Sequence, residues 1–143
     1  CIHELGAIKI GDLTPFDGIT LEQKEEIEHK AVVEVLGNLT DKEKMAHSIF
    51  EFDKNENNVA KFAYYCDKLE EDIQAKVYQD MGCQHPLTDQ DNNVVFKSTK
   101  VRKLIEDGAE TAFDIWYGCD LVRYENSPVI TKTLNYVKNN KIK

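Results

Sequence analysis

Apolar residues in this chain recur at steps of three and four along almost its whole length, and period-two alternation is nearly absent. That spacing stacks side chains on one side of a helix but would scatter them over both faces of a strand, so it commits the chain to helices. Thr20 followed by Gln23 forms a capping box. It opens a helix with Ile27, Ala31, Val32, Val35 and Leu36 inward, and Gly37 stops it. Thr40 with Glu43 repeats the signal ahead of Met45, Ile49 and Phe52. Asn57 or Asn58 caps a long helix reaching Asp80, with Val59, Phe62, Cys66, Leu69, Ile73 and Val77 on one face. A polar loop over 81–93 precedes a helix expected over 98–118, with Val101, Leu104, Ile105, Gly108, Ala112, Ile115 and Trp116 inward. Ser127-Pro128 then starts a last helix through Ile130, Leu134 and Val137. Val94-Val95-Phe96 is too short to build a sheet. With no internal repeat and no interdomain linker, the expectation is one all-α domain over 1–143.

Charge narrows the partners. The chain carries 26 acidic and 18 basic residues, net −8. A protein that tracks phosphates along a polymer needs a clustered basic surface. The cluster seen here, Lys138, Lys141 and Lys143, complements a helix C-terminus instead. Polymeric nucleic acid is therefore not an expected partner, and a small anion would need a bound cation to offset the negative field. No apolar run approaches the roughly 20 residues of a membrane-spanning helix. Nor does the chain open with a basic-then-apolar leader, so a cytoplasmic location is expected. The four cysteines (Cys1, Cys66, Cys83, Cys119) form no C-x-x-C pair, which argues against a zinc ribbon or a redox dithiol. Cys66 and Cys119 fall on apolar stripes and are expected to be buried thiols.

Two places carry metal-capable side chains. His3-Glu4 stands in the apolar stretch 1–10, where Ile2, Leu5 and Ile8 keep helical spacing and no helix-start signal precedes them. Ala7 occupies the place of the second histidine of H-E-x-x-H, so a zincin is excluded. On the long fourth helix, Ala60, Ala63, Asp67, Glu70 and Gln74 line a second stripe, whose alanines let another helix approach and bury or half-bury Asp67. A carboxylate so placed must be hydrogen-bonded, paired or metal-bound. A solvated stripe beside Lys68 and Lys76, with His3 a satisfied core histidine, is the competing structural reading.

In order, His3-Glu4-Leu5-Gly6-Ala7, then Gly11-Asp12-Leu13-Thr14-Pro15, then Ala60-Lys61-Phe62 through Asp67-Lys68-Leu69-Glu70 to Gln74-Ala75 and Tyr78 form a specific combination. The sequence resembles the HD-domain metal-dependent phosphohydrolases, and within them the nucleoside 5′-monophosphatases (5′-deoxynucleotidases). The resemblance covers roughly the first half of the chain. It implies an all-helical HD-type domain holding a divalent ion such as manganese or cobalt, with His3, Glu4 and Asp67 as ligands. It further implies that Asp12 acts catalytically and on the nucleotide, with Thr14, Pro15 and Glu70 shaping the substrate wall. A homodimer is common among such proteins.

Three departures from the family pattern stand out. Glu4 replaces the aspartate of the dyad, moving its oxygens outward by one methylene. Ala7 replaces a glutamate that orients the attacking water, and general acid–base help is worth about 10²–10⁴-fold. The family's first histidine ligand belongs to a helix upstream of the dyad, and His29, His47 and His85 all come too late to supply it. The expected chain is thus an HD-type domain lacking its N-terminal helices, with apolar surface exposed on Val59 and Phe62 and low or no activity. A catalytically silent nucleotide- or protein-binding relative is the alternative.

Overall fold

The computed structural model describes residues 2–11, 13, 18–85, 87 and 94–142, with the side chains of Val94 and Val95 left aside. Every regular element among the described residues is helical. A 3₁₀ turn, His3–Gly6, runs into α1 (Ala7–Ile10), followed by α2 (Leu21–Leu36), α3 (Lys42–Lys54) and α4 (Asn58–Asp80). A second 3₁₀ turn, Val94–Lys97, precedes α5 (Thr99–Glu106), α6 (Ala112–Asp120) and α7 (Pro128–Asn139). The described residues cluster into two compact units, Cys1–Tyr64 and Tyr65–Lys143, with the boundary inside α4.

In the first unit, the Thr20–Gln23 box forms as the sequence requires. Thr20 Oγ1 accepts from the Gln23 amide at 3.2 Å and Gln23 Oε1 from the Thr20 amide at 2.9 Å. The core here is Val32, Leu36 and Ile49, with Leu5, Met45, Ala46 and Phe50 packed around it. Gly37 ends α2 at φ +50°. The box expected at Thr40 does not form: Thr40 lies in a turn closed by the Lys42 amide on Leu39 O at 3.3 Å. The helix consequently starts from Asp41, with no side-chain cap. Asn57 is the cap of α4, its Oδ1 accepting from the Ala60 amide at 2.8 Å.

The second unit packs Leu69, Tyr124, Ile130 and Leu134 together, with Tyr65, Ile73, Tyr117 and Leu121 against them. The single helix expected over 98–118 is two. Gly108 takes φ +102°, a conformation open to glycine at little cost, and breaks the run. Thr111 then restarts it: Thr111 Oγ1 accepts from the Asp114 amide at 3.1 Å, and Asp114 Oδ2 accepts from the Thr111 amide at 3.0 Å. Trp116 and Ile105, expected inward, are exposed.

The buried stripe of α4 also differs from the apolar one. Val59, Phe62 and Cys66 are exposed, and Ile73 and Val77 half-buried. Leu69, Asp72 and Lys76 are the buried residues of its second half, at steps of three and four. Lys76 can be buried because it is paired with Asp80 and lies 5.9 Å from the centre of the Phe113 ring. Cys119 is half-buried, so neither thiol is a core residue.

Candidate functional site

His3 and Glu4 open the first 3₁₀ turn, and Gly6 lets that turn lie against α2. A Cβ at Gly6 would stand 3.0 Å from the Glu28 carbonyl oxygen. His3 Nε2 lies 3.1 Å from Glu4 Oε1, with the imidazole 13% exposed and the carboxylate 70%. The His3 ring stacks on Phe52 from α3, with centroids 4.5 Å apart and planes at 26°. A protected imidazole beside an open carboxylate is thus fixed on one side by an aromatic ring.

Beside this pair, α2 and α3 contribute His29 and Asp53, joined Nε2 to Oδ2 at 3.0 Å. The His29 ring rests 3.9 Å from that of Phe50. Burial pushes the Asp53 carboxyl above its ordinary pKa, partly offset by the His29 bond and by the field of His3. Glu28 is likewise raised by burial, against Lys24, whose Nζ lies 3.5 Å from Glu28 Oε1. Repulsion from Glu4 and Asp53 acts on Glu28 as well, so Glu4, Glu28, Asp53, His3 and His29 form one electrostatic neighbourhood. Sequence reasoning singles out His3 and Glu4 here and misses His29 and Asp53. His29 follows a charge run that reads as solvated, and its partner is 24 residues away. A cavity of about 590 Å³ opens next to His3, lined among others by Ile2, His47, Phe52, Asn57 and Val59.

Asp67 and Glu70 belong to the second unit. The Asp67 carboxylate is 23% exposed, half-buried rather than fully buried, with Lys68 Nζ 3.5 Å from its Oδ2. Burial works against the Lys68 charge, yet its bonds to Glu71, at 2.6 Å, and to Asp67 outweigh that and hold its pKa above the ordinary value. Glu70 is exposed. Asp12, Thr14 and Pro15 lie outside the described residues.

An imidazole nitrogen with carboxylate oxygens is a mixed donor set that suits a borderline transition metal better than calcium. His3 and Glu4 supply two such donors side by side. Among the described residues, no group of three or more His, Cys, Asp and Glu side chains is gathered to hold a metal ion. No described helix is long and apolar enough to cross a membrane.

The second unit also contains a buried acid cluster that the hydrophobic pattern does not reveal. Asp72 and Asp120 are 0% and 2% exposed. Tyr124 Oη donates to Asp72 Oδ2 at 2.9 Å, and Arg123 Nη1 donates to Asp120 Oδ2 at 3.1 Å. Burial pushes the Asp72 carboxyl up to about 7, against the lowering effect of the Tyr124 bond. Burial also raises Asp120, with Arg123 and Lys100 opposing.

Residues 1–107 match the profile of the HD domain family, a span that crosses the boundary between the two units. The chain is also similar to the 5′-deoxynucleotidase HDDC2 of Dictyostelium discoideum, 33% identical over 82 residues. The aligned segment is 54% of this chain and 42% of that relative, so the chain spans less than half of the relative it matches. No solved structure matches significantly. With three quarters of its length inside the family profile and every regular element among the described residues helical, this chain belongs to the HD-domain family.

Proposed function

We propose that this chain is a metal-dependent phosphohydrolase acting on nucleoside 5′-monophosphates, with low or no activity because Ala7 stands where a glutamate would assist the attacking water. The observation that carries the reading is the His3–Glu4 pair, a shielded imidazole 3.1 Å from an open carboxylate, at the head of the HD-matching segment. Similarity to a 5′-deoxynucleotidase supports the choice of substrate class. The two units are read together as one HD-type domain.

In this proposal His3, Glu4 and Asp67 hold a manganese, cobalt or similar ion. When bound, such an ion acidifies a coordinated water and polarises phosphoryl oxygens. The remaining roles belong to side chains of this chain. Asp12 acts on the nucleotide and its phosphate, and Thr14, Pro15 and Glu70 shape the wall around it. Phe52 keeps the His3 ring in one plane. A net charge of −8 argues against polymeric nucleic acid and is compatible with a small nucleotide beside a cation. A cytoplasmic location and a homodimer complete the proposal.

The test compares the chain with its Ala7→Glu variant for phosphate release from nucleoside 5′-monophosphates, with manganese or cobalt added. General acid–base assistance predicts a gain of about 10²-fold or more in the variant. No metal-dependent release from any phosphomonoester by either protein would defeat the enzyme reading. The half-buried methyl of Ala7, which can neither donate nor accept a proton, favours a second reading: a silent nucleotide-binding domain. Protection of the chain against heat by a nucleotide, with no product formed by either protein, supports that alternative.

A further inference from the structure

We propose that Asp72 and Asp120 share a single proton, and that this proton is a pH-responsive fastening between α4 and α6 in the second unit. The proposal does not depend on the phosphohydrolase reading. Both side chains are almost wholly buried. Tyr124 occupies one oxygen of Asp72 as a donor, while the other, Oδ1, receives no donor from the described residues and has no access to solvent. An ionised carboxylate left so is costly, because a buried acceptor without a donor forfeits its solvation. The Asp72 and Asp120 carboxyls are hydrogen-bond neighbours. Two carboxylates cannot meet in that way, whereas a carboxylic acid and a carboxylate can.

The surroundings decide which of the two keeps the proton. Asp120 has the cation: Arg123 bonds to its Oδ2, and Lys100 of α5 adds a second positive field. Glu71, already bonded to Lys68, opposes them. Among the described residues, Asp72 has only the neutral Tyr124 phenol as donor, with Arg123 acting at longer range. The Cys119 thiol borders the group, and burial holds it in its neutral form. Asp72 is therefore the acid and Asp120 the carboxylate. Raising the pH removes the proton to solvent and leaves two negative charges facing each other, with the Arg123 cation bonded to Asp120.

The sign follows directly. Asp72 holds its proton in the folded chain to a higher pH than it does unfolded. Stability from this group is complete below the unfolded pKa, and it is lost as pH rises through neutrality, at up to about tenfold in the folding constant per pH unit. Asp72→Asn keeps the shape, accepts from Tyr124 and donates to Asp120, so it locks the neutral arrangement. Melting temperatures of the whole chain and of D72N, measured from about pH 5 to about pH 8.5, test this. The expected result is that the wild type loses stability towards pH 8 while D72N loses less and melts higher at that pH. A D72N protein that melts lower at pH 8 and keeps the full wild-type slope would overturn the proposal. A second measurement needs no variant: carbon NMR of aspartate side-chain carboxyls in the wild type. One aspartate titrating with a midpoint near neutrality is expected, and all aspartates titrating below about pH 5 would overturn the shared proton.

Discussion

The imidazole of His3 lies flat on the ring of Phe52, 4.5 Å centre to centre, so a residue of α3 sets the plane of the ring that the proposed site depends on. Phe52 in turn touches Tyr64, with centroids 6.3 Å apart. Stacked aromatic pairs contribute about 0.5–1.5 kcal/mol beyond their buried area. Phe52→Ala is expected to cost about 2–3 kcal/mol in urea unfolding, below the range of about 3–5 kcal/mol for a buried phenyl group because the ring is only half-buried. Phe52→Tyr should retain the stack and most of the stability. If His3 is a metal ligand, cobalt titration followed by absorbance will show weaker binding in F52A than in F52Y. Equal cobalt affinity in the two variants would detach Phe52 from the site.

Gly118 of α6 leaves room for the Leu104 side chain of α5. A Cβ there would come within 2.5 Å of Leu104 Cδ2 and 3.1 Å of its Cδ1. Gly118→Ala gains up to about 1 kcal/mol in helix propensity. Overpacking of this kind costs about 1–3 kcal/mol, so a net loss of stability is expected. Combining it with Leu104→Ala removes the clash, and the double variant should be less destabilised than the sum of the two singles. Additive losses would show that Leu104 already moves aside freely.

The two threonine signals in the first unit give opposite expectations. Thr20 makes both bonds of a capping box, so Thr20→Ala should cost about 1 kcal/mol. Thr40 caps nothing, because α3 starts one residue later from Asp41. Thr40→Ala should stay within about 0.5 kcal/mol of the wild type. Denaturant unfolding of the two variants side by side checks this. A large loss in T40A together with none in T20A would reverse the assignment of the helix starts.

Local signals carry far when the chemistry is local. The Thr20 box, the Asn57 cap and Pro128 at the start of α7 are each legible within four residues, because a cap is a bond between near neighbours. The ordered segments around His3-Glu4 and Asp67 likewise sufficed to mark the family. Local signals merge α5 and α6, because apolar spacing continues through Gly108 and Thr111-x-x-Asp114, a box with aspartate in place of glutamate, falls inside that run.

By itself, the sequence determined that this chain is helical, where several of its helices begin and which family it joins, since periodicity, caps and motifs are written in consecutive residues. Tertiary structure decided which side of α4 is buried. Apolarity favours Val59, Phe62 and Cys66, yet the buried residues further along are Leu69, Asp72 and Lys76. A polar group can enter a core only when a partner meets it there, and the partner of Asp72 is Tyr124, 52 residues away. No window of neighbouring residues contains that information. The stacking of Phe52 on His3 and the pairing of His29 with Asp53 depend on the fold for the same reason: each joins side chains that only packing brings within reach.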